Sequence, residues 1–244
     1  MASPAHAARL QRLNDALSRD GVLRLREAAQ LLQVSEMTVR RAVSAHPEMF
    51  AYLGGYIVKS THLGAGSGYN LQDEERSQAQ AKSDACAHAC SLIGPEDTVF
   101  IDCGTTLDHL ARQLPADMPV TVICYSLNLA TRLAPRPATR LVMLGGLFHQ
   151  GSAAFVSADS GTTLAGFGIT KAFISAGGID ARRGVSCSNM YEVPIKQQAL
   201  RSAHEKYLVV DSSKFNRLKP ALFASLSEFD AIISEKGIHR HPET

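Results

Sequence analysis

The sequence predicts a mostly parallel α/β domain preceded by a small helical unit. Apolar residues recur at helical spacing before residue 46, and a Gly/Ser-rich segment without periodicity fills residues 60–70. Residues 71–92 predict a polar, alanine-rich helix. After residue 98, short apolar runs, among them 120–124 and 207–211, alternate with helical patterns, which is typical of a helix-covered parallel sheet. We therefore expect an N-terminal unit at residues 1–58, a linker at 59–70 and the α/β domain at 71–244.

The composition is that of a globular protein, with 45% hydrophobic and 20% charged residues in a chain of 244. Lys and Arg number 25 against 23 Asp and Glu, which gives a formal net charge of +2. Nucleic-acid binding would therefore require a local basic face. The chain has no run of about 18 apolar residues that would span a membrane, and its N-terminus lacks a signal-peptide pattern. We expect a cytoplasmic protein with no membrane contact.

The cysteines do not form a metal or disulfide pattern. Their number is odd, and neither a CxxC pair nor a Cys/His spacing occurs. We expect small buried thiols, with no disulfide, no zinc or other metal, and no cofactor. The five cysteines are Cys86, Cys90, Cys103, Cys124 and Cys187.

The N-terminal unit has the pattern of a winged helix-turn-helix. Three helical segments are predicted between residues 9 and 45, the second at residues 26–32 and the third at residues 36–45. Ser35 precedes the third helix and is a good N-cap. Residues 52–58, YLGGYIV, predict two short strands around a Gly-Gly turn. Three helices followed by a hairpin indicate DNA binding.

The third helix has the residue distribution of a recognition helix. At about 100° per residue, Val39 and Val43 share the core side, and Arg41 lies nearly opposite them. A solvated helix with two arginines would show the same wheel, but the preceding turn and the following hairpin favour a helix that lies in the major groove. The candidate DNA-binding residues are Ser35, Met37, Thr38, Arg40 and Arg41.

Polar motifs follow five of the apolar runs predicted to be strands. In open α/β sheets, ligands bind at the carboxyl ends of the strands. The sequence therefore predicts a ligand site at one edge of the sheet. The motifs are DCGTT at 102–106, YSLN at 125–128, GG at 145–146, GGID at 177–180 and DSSK at 211–214.

These motifs suit a sugar phosphate. Gly104 permits close approach of the backbone, the N–H groups of Thr105 and Thr106 at a helix start favour an anion, and Lys214 would add positive charge. Plain strand-to-helix turns, a solvated Lys214 and an ordinary Glu192–Lys196 helix-surface pair remain alternatives. The candidate effector-binding residues are Asp102, Gly104, Thr105, Thr106, Ser126, Asn128, Gly145, Gly146, Gly178, Asp180, Glu192, Lys196 and Lys214.

Several of these segments resemble the DeoR family of bacterial repressors. VSEMTVRR at 34–41 is similar to the family's helix-turn-helix, and DCGTT, GGID and DSSKF at 211–215 are similar to its effector domain. The resemblance covers nearly the whole chain in the same order. It implies an effector domain with a fold like that of ribose-5-phosphate isomerases and coenzyme A transferases.

The resemblance also implies a function. Family members bind a phosphorylated sugar and then leave double-stranded operator DNA, and they act as homo-oligomers. LGGYIV at 53–58, CYSLN at 124–128 and VVDSSKF at 209–215 resemble members that repress deoxyribose and deoxynucleoside catabolic genes, which implies deoxyribose 5-phosphate as the effector. The alternatives are a repressor that senses another sugar phosphate and an isomerase-like enzyme with an added head. An isomerase does not need a recognition helix, so residues 1–58 favour a regulator over an enzyme.

Overall fold

The computed structural model describes residues 4–20, 22–53, 56–60, 77–157 and 160–240, and the chain divides into two compact units. Within the described residues, the first unit contains three helices and an antiparallel sheet of order β1-β3-β2. Its elements are α1 (Pro4–Asp20), β1 (Val22–Arg24), α2 (Leu25–Leu32), α3 (Glu36–Ala45), β2 (Phe50–Leu53) and β3 (Tyr56–Lys59).

Local sequence determines where α2 ends and α3 begins. Gln33 adopts a left-handed conformation with φ 55°, which terminates α2. The Ser35 hydroxyl then accepts a hydrogen bond from the Thr38 backbone N–H at 3.2 Å. The predicted N-cap and the predicted bounds of the third helix are therefore confirmed. Val39 and Val43 are buried on the core side of this helix, as the wheel predicts.

The second unit is an α/β domain. Its helices and strands, in chain order, are α4 (Ala79–Cys90), β4 (Thr98–Ile101), α5 (Thr105–Gln113), β5 (Val120–Cys124), α6 (Leu127–Leu133), β6 (Thr139–Met143), β7 (Leu147–His149), β8 (Ala154–Val156), α7 (Ser160–Ala165), β9 (Ile169–Ser175), β10 (Gly178–Asp180), β11 (Gly184–Cys187), α8 (Val193–Ser202), β12 (Ala203–Val209), β13 (Ala221–Ala224), β14 (Ala231–Ser234) and β15 (Gly237–Arg240). Short 3-10 helices occupy Met190–Glu192, Ser212–Lys214 and Leu226–Glu228.

The central sheet has seven strands in the order β15-β14-β12-β9-β4-β5-β6. All neighbouring pairs are parallel except β14 with β15. This confirms the predicted mostly parallel α/β class. From β4 the chain builds outward to β5 and β6, and it then returns to β9 on the other side of β4. The β4–β9 boundary is therefore a topological switch point, where open α/β sheets bind ligands.

The sequence missed the small antiparallel elements and misplaced some bounds. The β7–β8 hairpin, the β10-β11-β13 sheet and the edge strand β15 were not expected, because runs of three or four residues carry little periodicity. The predicted strand at 207–211 begins earlier, at Ala203, since α8 passes directly into β12. The predicted helix at 71–92 is described only from residue 77, and Gly54, Gly55 and residues 61–70 lie outside the described residues.

Candidate DNA interface and effector site

The exposed side of α3 carries Met37 and Arg41, two of the five predicted DNA contacts. Met37 is 59% exposed, and Arg41 is also exposed. Val39 and Val43, on the opposite side, are 1% and 2% exposed. The helix therefore presents a cation and a flexible apolar side chain to solvent while its other side is fixed in the core.

The remaining predicted DNA contacts already have partners within the unit. The Ser35 and Thr38 hydroxyls lie 2.9 Å apart within the helix cap. The Arg40 guanidinium carbon lies 4.6 Å from the centre of the Tyr52 ring, a cation–π contact with β2. Arg40 is thereby held towards the hairpin, which fits a packing or backbone-contact role better than base recognition.

Asp102 is the centre of a buried hydrogen-bond network at the switch point. It directly follows β4 and is 0% exposed. The Tyr125 hydroxyl donates to Asp102 Oδ1 at 2.5 Å. The backbone N–H and the hydroxyl of Ser175, at the end of β9, both donate to Oδ2 at 2.9 Å. The Lys196 ammonium donates to the same oxygen. Both carboxylate oxygens are thus occupied by groups of the protein.

Lys196 connects α8 to this network. Its Nζ donates to the Ser175 carbonyl at 3.2 Å and lies 3.5 Å from Glu192 Oε2. The Lys196 and Glu192 side chains are 1% and 8% exposed, so they are not a solvated surface pair. Burial alone lowers the pKa of a lysine, but the carboxylates of Asp102 and Glu192 raise the pKa of Lys196 well above its ordinary value. Lys196 therefore carries its charge in the core.

Tyr125 and Cys103 complete the network as neutral donors. The Cys103 thiol donates to the Tyr125 hydroxyl at 3.1 Å. Burial, together with neighbouring carboxylates, raises the pKa of both groups well above the ordinary values. Both are protonated at neutral pH, which allows Tyr125 to donate to Asp102. Sequence reasoning missed Tyr125 and Ser175, although both directly adjoin strand ends.

Gly104, Thr105 and Lys82 form a second cluster beside this network. Gly104 has φ 110°, and a Cβ there would lie 3.2 Å from Ser175 Oγ. Thr105 and Thr106 begin α5 and are buried. The Lys82 ammonium, from α4, donates to Thr105 Oγ1 at 3.1 Å, and Lys82 is 0% exposed. Sequence reasoning missed Lys82, whose only signal was a lone lysine in an alanine-rich helix.

Two predicted effector residues are engaged elsewhere in the fold. Asp180 Oδ1 accepts hydrogen bonds from the backbone N–H groups of Arg182 and Arg183 at 2.9 and 2.8 Å, which closes the β10–β11 turn. These bonds lower the pKa of Asp180. At Gly178, a Cβ would lie 2.6 Å from the Arg217 carbonyl oxygen. The close backbone approach explains this glycine without a ligand.

Ser126 and Asn128 lie at the end of β5 and the start of α6. Ser126 is buried, whereas Asn128 is exposed and lines a pocket with Asp108 and Arg132. The Arg132 Nε donates to Asp108 Oδ1 at 2.9 Å. This pocket is bordered by α5 and α6, and Asp102 is not one of the residues that line it.

The other predicted residues lie beyond β6 and β12. Gly145 is exposed, and Gly146 has φ 144°, with a Cβ position only 2.4 Å from the Val156 carbonyl. Lys214 is 8% exposed, which excludes a freely solvated lysine. Its backbone N–H donates to the Asp211 carbonyl at 3.1 Å within a 3-10 turn.

The described part of the chain offers neither a metal cluster nor a membrane-spanning helix. There, no group of three or more His, Cys, Asp or Glu residues is arranged to hold a metal ion. No helix in the same part is both long and apolar enough to cross a membrane.

Solved structures show likeness at the level of the fold. The eIF2B beta structure from Chaetomium thermophilum aligns with a TM-score of 0.51 and 16% identity over 66% of this chain. The alignment spans half of that chain. Ribose 5-phosphate isomerase A from Neisseria gonorrhoeae aligns with a TM-score of 0.43 and 13% identity, over 57% of this chain and 55% of that chain.

Sequence comparisons give much closer relatives. The chain is 38% identical over 227 residues to the deoxyribose operon repressor of Escherichia coli strain K12, which covers 93% of this chain and 89% of that protein. It is 32% identical over 239 residues to the lactose phosphotransferase system repressor of Lactococcus lactis subsp. lactis, over 94% and 91% of the two chains.

Two family models match in tandem. The DeoR-like helix-turn-helix domain matches residues 9–61, and the DeoR C-terminal sensor domain matches residues 77–236. The predicted family and the order of its two parts are thereby confirmed. The named relatives are transcriptional regulators, which favours a regulator over an isomerase-like enzyme. The chain belongs to the DeoR family of transcriptional regulators.

Proposed function

We propose that this protein represses deoxyribose and deoxynucleoside catabolic genes and is released from operator DNA by deoxyribose 5-phosphate. It acts in the bacterial cytoplasm, on double-stranded operator DNA in the nucleoid, as a homo-oligomer that presents two recognition helices to matching half-sites. The 38% identity to the deoxyribose operon repressor over nearly the whole chain supports the choice of genes and effector.

The contact between Lys82 and Thr105 carries the proposal of a phosphate-binding sensor. It brings a buried ammonium to the first turn of α5, next to Gly104, at the switch point of the sheet. Backbone N–H groups at a helix start, a hydroxyl and a cation together match the oxygens of a phosphate. In this site Lys82 supplies the charge that sequence reasoning had given to Lys214.

The sugar would lie towards Lys196 and Glu192. Asp102 already accepts four hydrogen bonds from Tyr125, Ser175 and Lys196, so it serves as a positioning residue for the lysine. The Glu192 carboxylate and the Lys196 ammonium offer an acceptor and a donor of the kind that sugar hydroxyls and carbonyls use. Ser126, Thr106 and Gly104 would contribute to the walls of the same site.

Titration of the full chain with a panel of sugar phosphates tests the effector. We expect deoxyribose 5-phosphate to bind more tightly than ribose 5-phosphate or the phosphorylated hexoses in isothermal calorimetry. Because linkage is reciprocal, operator DNA should weaken this binding by the same factor by which the effector weakens operator binding. Tighter binding of a hexose phosphate would show that the protein is a repressor that senses another sugar. Turnover of ribose 5-phosphate or deoxyribose 5-phosphate at about 1 per second or more would show an enzyme.

Substitution of Arg41 tests the DNA-binding face of α3. We expect Arg41→Ala to weaken operator binding by about 1–3 kcal/mol if the guanidinium contacts a base pair in the major groove. Arg40→Ala is the matched comparison, and it should weaken operator and unrelated DNA alike and reduce the salt dependence. Fluorescence anisotropy at several salt concentrations measures both effects. Unchanged operator affinity for Arg41→Ala would place the helix differently on DNA.

A further inference from the structure

The β7–β8 hairpin is an apolar and uncharged feature of the sensor-domain surface. Leu147 is 70% exposed and Phe148 is 42% exposed. Phe148 contacts Phe155 across the hairpin, with ring centroids 5.0 Å apart. The segment from residue 141 to residue 157 contains no Asp, Glu, Lys or Arg. Burial lowers the pKa of His149, so this side chain is neutral at pH 7.

The base of the hairpin is held firmly against the domain. The Leu127 backbone N–H donates to the Ala153 carbonyl, and the Phe155 N–H donates to the Tyr125 carbonyl, both at 2.8 Å. Leu127 is itself 41% exposed beside this base. Gly146 packs so closely on β8 that a Cβ would clash with the Val156 backbone. The hairpin is therefore a preformed surface and not a loosely tethered loop.

The outer edge of β7 carries no Lys, Arg, Asp, Glu or Pro. Within the described residues, β7 pairs with β8 alone. Exposed edge strands are normally guarded by Lys, Pro, a bulge or a covering element. Here the edge residues are Leu147, Phe148 and His149, and none of them carries a charge at neutral pH.

We propose that this hairpin is the surface through which two copies of this chain associate. In a two-fold interface the same patch meets itself, so any charge on it would face a like charge. An uncharged apolar patch avoids this repulsion, whereas nucleic acid or an acidic peptide would require cations that the segment lacks. A second copy would also pair its β7 antiparallel with this edge. This inference rests on the homo-oligomer of the proposed function, and it identifies the surface through which the copies associate.

Light scattering of the full chain after size exclusion, over a range of protein concentrations, tests the proposal. We expect Leu147→Glu to weaken self-association by at least about tenfold, because it places two carboxylates against each other at the two-fold interface. The molar mass should then fall by a factor of two or more at concentrations where the wild type remains assembled. Leu222→Glu is the matched control, since Leu222 is 44% exposed but lies on β13, and its mass should stay that of the wild type.

Each outcome has a distinct meaning. If the wild type has the mass of a single chain throughout, the proposed homo-oligomer and its surface are both wrong. If the wild type is assembled and Leu147→Glu keeps its mass, only the surface is wrong, and the hairpin has another occupant. An unchanged effector-induced rise in melting temperature for Leu147→Glu shows that the variant is folded and that the effector site is independent of the hairpin.

Discussion

Lys196→Met is expected to destabilise the sensor domain by about 3–5 kcal/mol. The substitution keeps most of the side-chain volume but removes the cation from between Asp102 and Glu192, which are both buried. Breaking a buried ion pair from one side leaves an uncompensated charge, whereas removing both partners is much less costly. Urea unfolding followed by circular dichroism measures the change in the free energy of unfolding.

Arg201→Met is the matched control, because Arg201 lies on the same helix and is exposed. Its effect should stay within about 0.5 kcal/mol. The double variant Asp102→Asn/Lys196→Met should recover part of the stability lost in Lys196→Met. A loss below about 1 kcal/mol for Lys196→Met would contradict the prediction. It would mean that the hydrogen bonds from Tyr125 and Ser175 satisfy Asp102 without the lysine.

Lys82→Met is expected to remove most of the stabilisation that the effector gives. At about 100 times its dissociation constant, a ligand stabilises the folded protein by about 2.7 kcal/mol. For a domain of this size that is a rise of roughly 5–11 °C in melting temperature. Without the ammonium beside Thr105, the phosphate loses its buried cation. Thermal melts with and without deoxyribose 5-phosphate measure the effector-induced rise in melting temperature. Each variant is compared with its own effector-free form, so a change in its baseline stability does not affect this rise.

Thr105→Val and Lys214→Met complete this test. Thr105→Val should also reduce the shift, since it removes the hydroxyl that contacts Lys82. Both Lys82→Met and Thr105→Val should still bind operator DNA, which would make them repressors that the effector does not release. If Lys214→Met abolishes the shift and Lys82→Met preserves it, the phosphate site lies after β12 and the placement at α5 is wrong.

The sequence by itself determined the elements whose signals are local. Val39 and Val43 mark one side of α3, and Ser35 marks its start, because helix period and cap chemistry act over a few residues. The run Val120–Cys124 is a strand with the predicted bounds. Apolar runs that alternate with helical patterns were enough to predict the mostly parallel sheet, and the polar motifs that follow them, as at Asp102, predict a ligand site at its carboxyl edge.

Only the tertiary structure decided which polar groups are hydrogen-bonded within the protein and which are left to bind a ligand. Asp102 accepts hydrogen bonds from Ser175 and Lys196, which lie 73 and 94 residues further along the chain. Lys82 donates to Thr105, which lies 23 residues further along. Asp180 looked like a ligand in the sequence but caps its own turn. The reason is physical: strand and helix periods are set by neighbours in the chain, whereas a buried charge takes its partner from whichever elements the sheet order brings to its side.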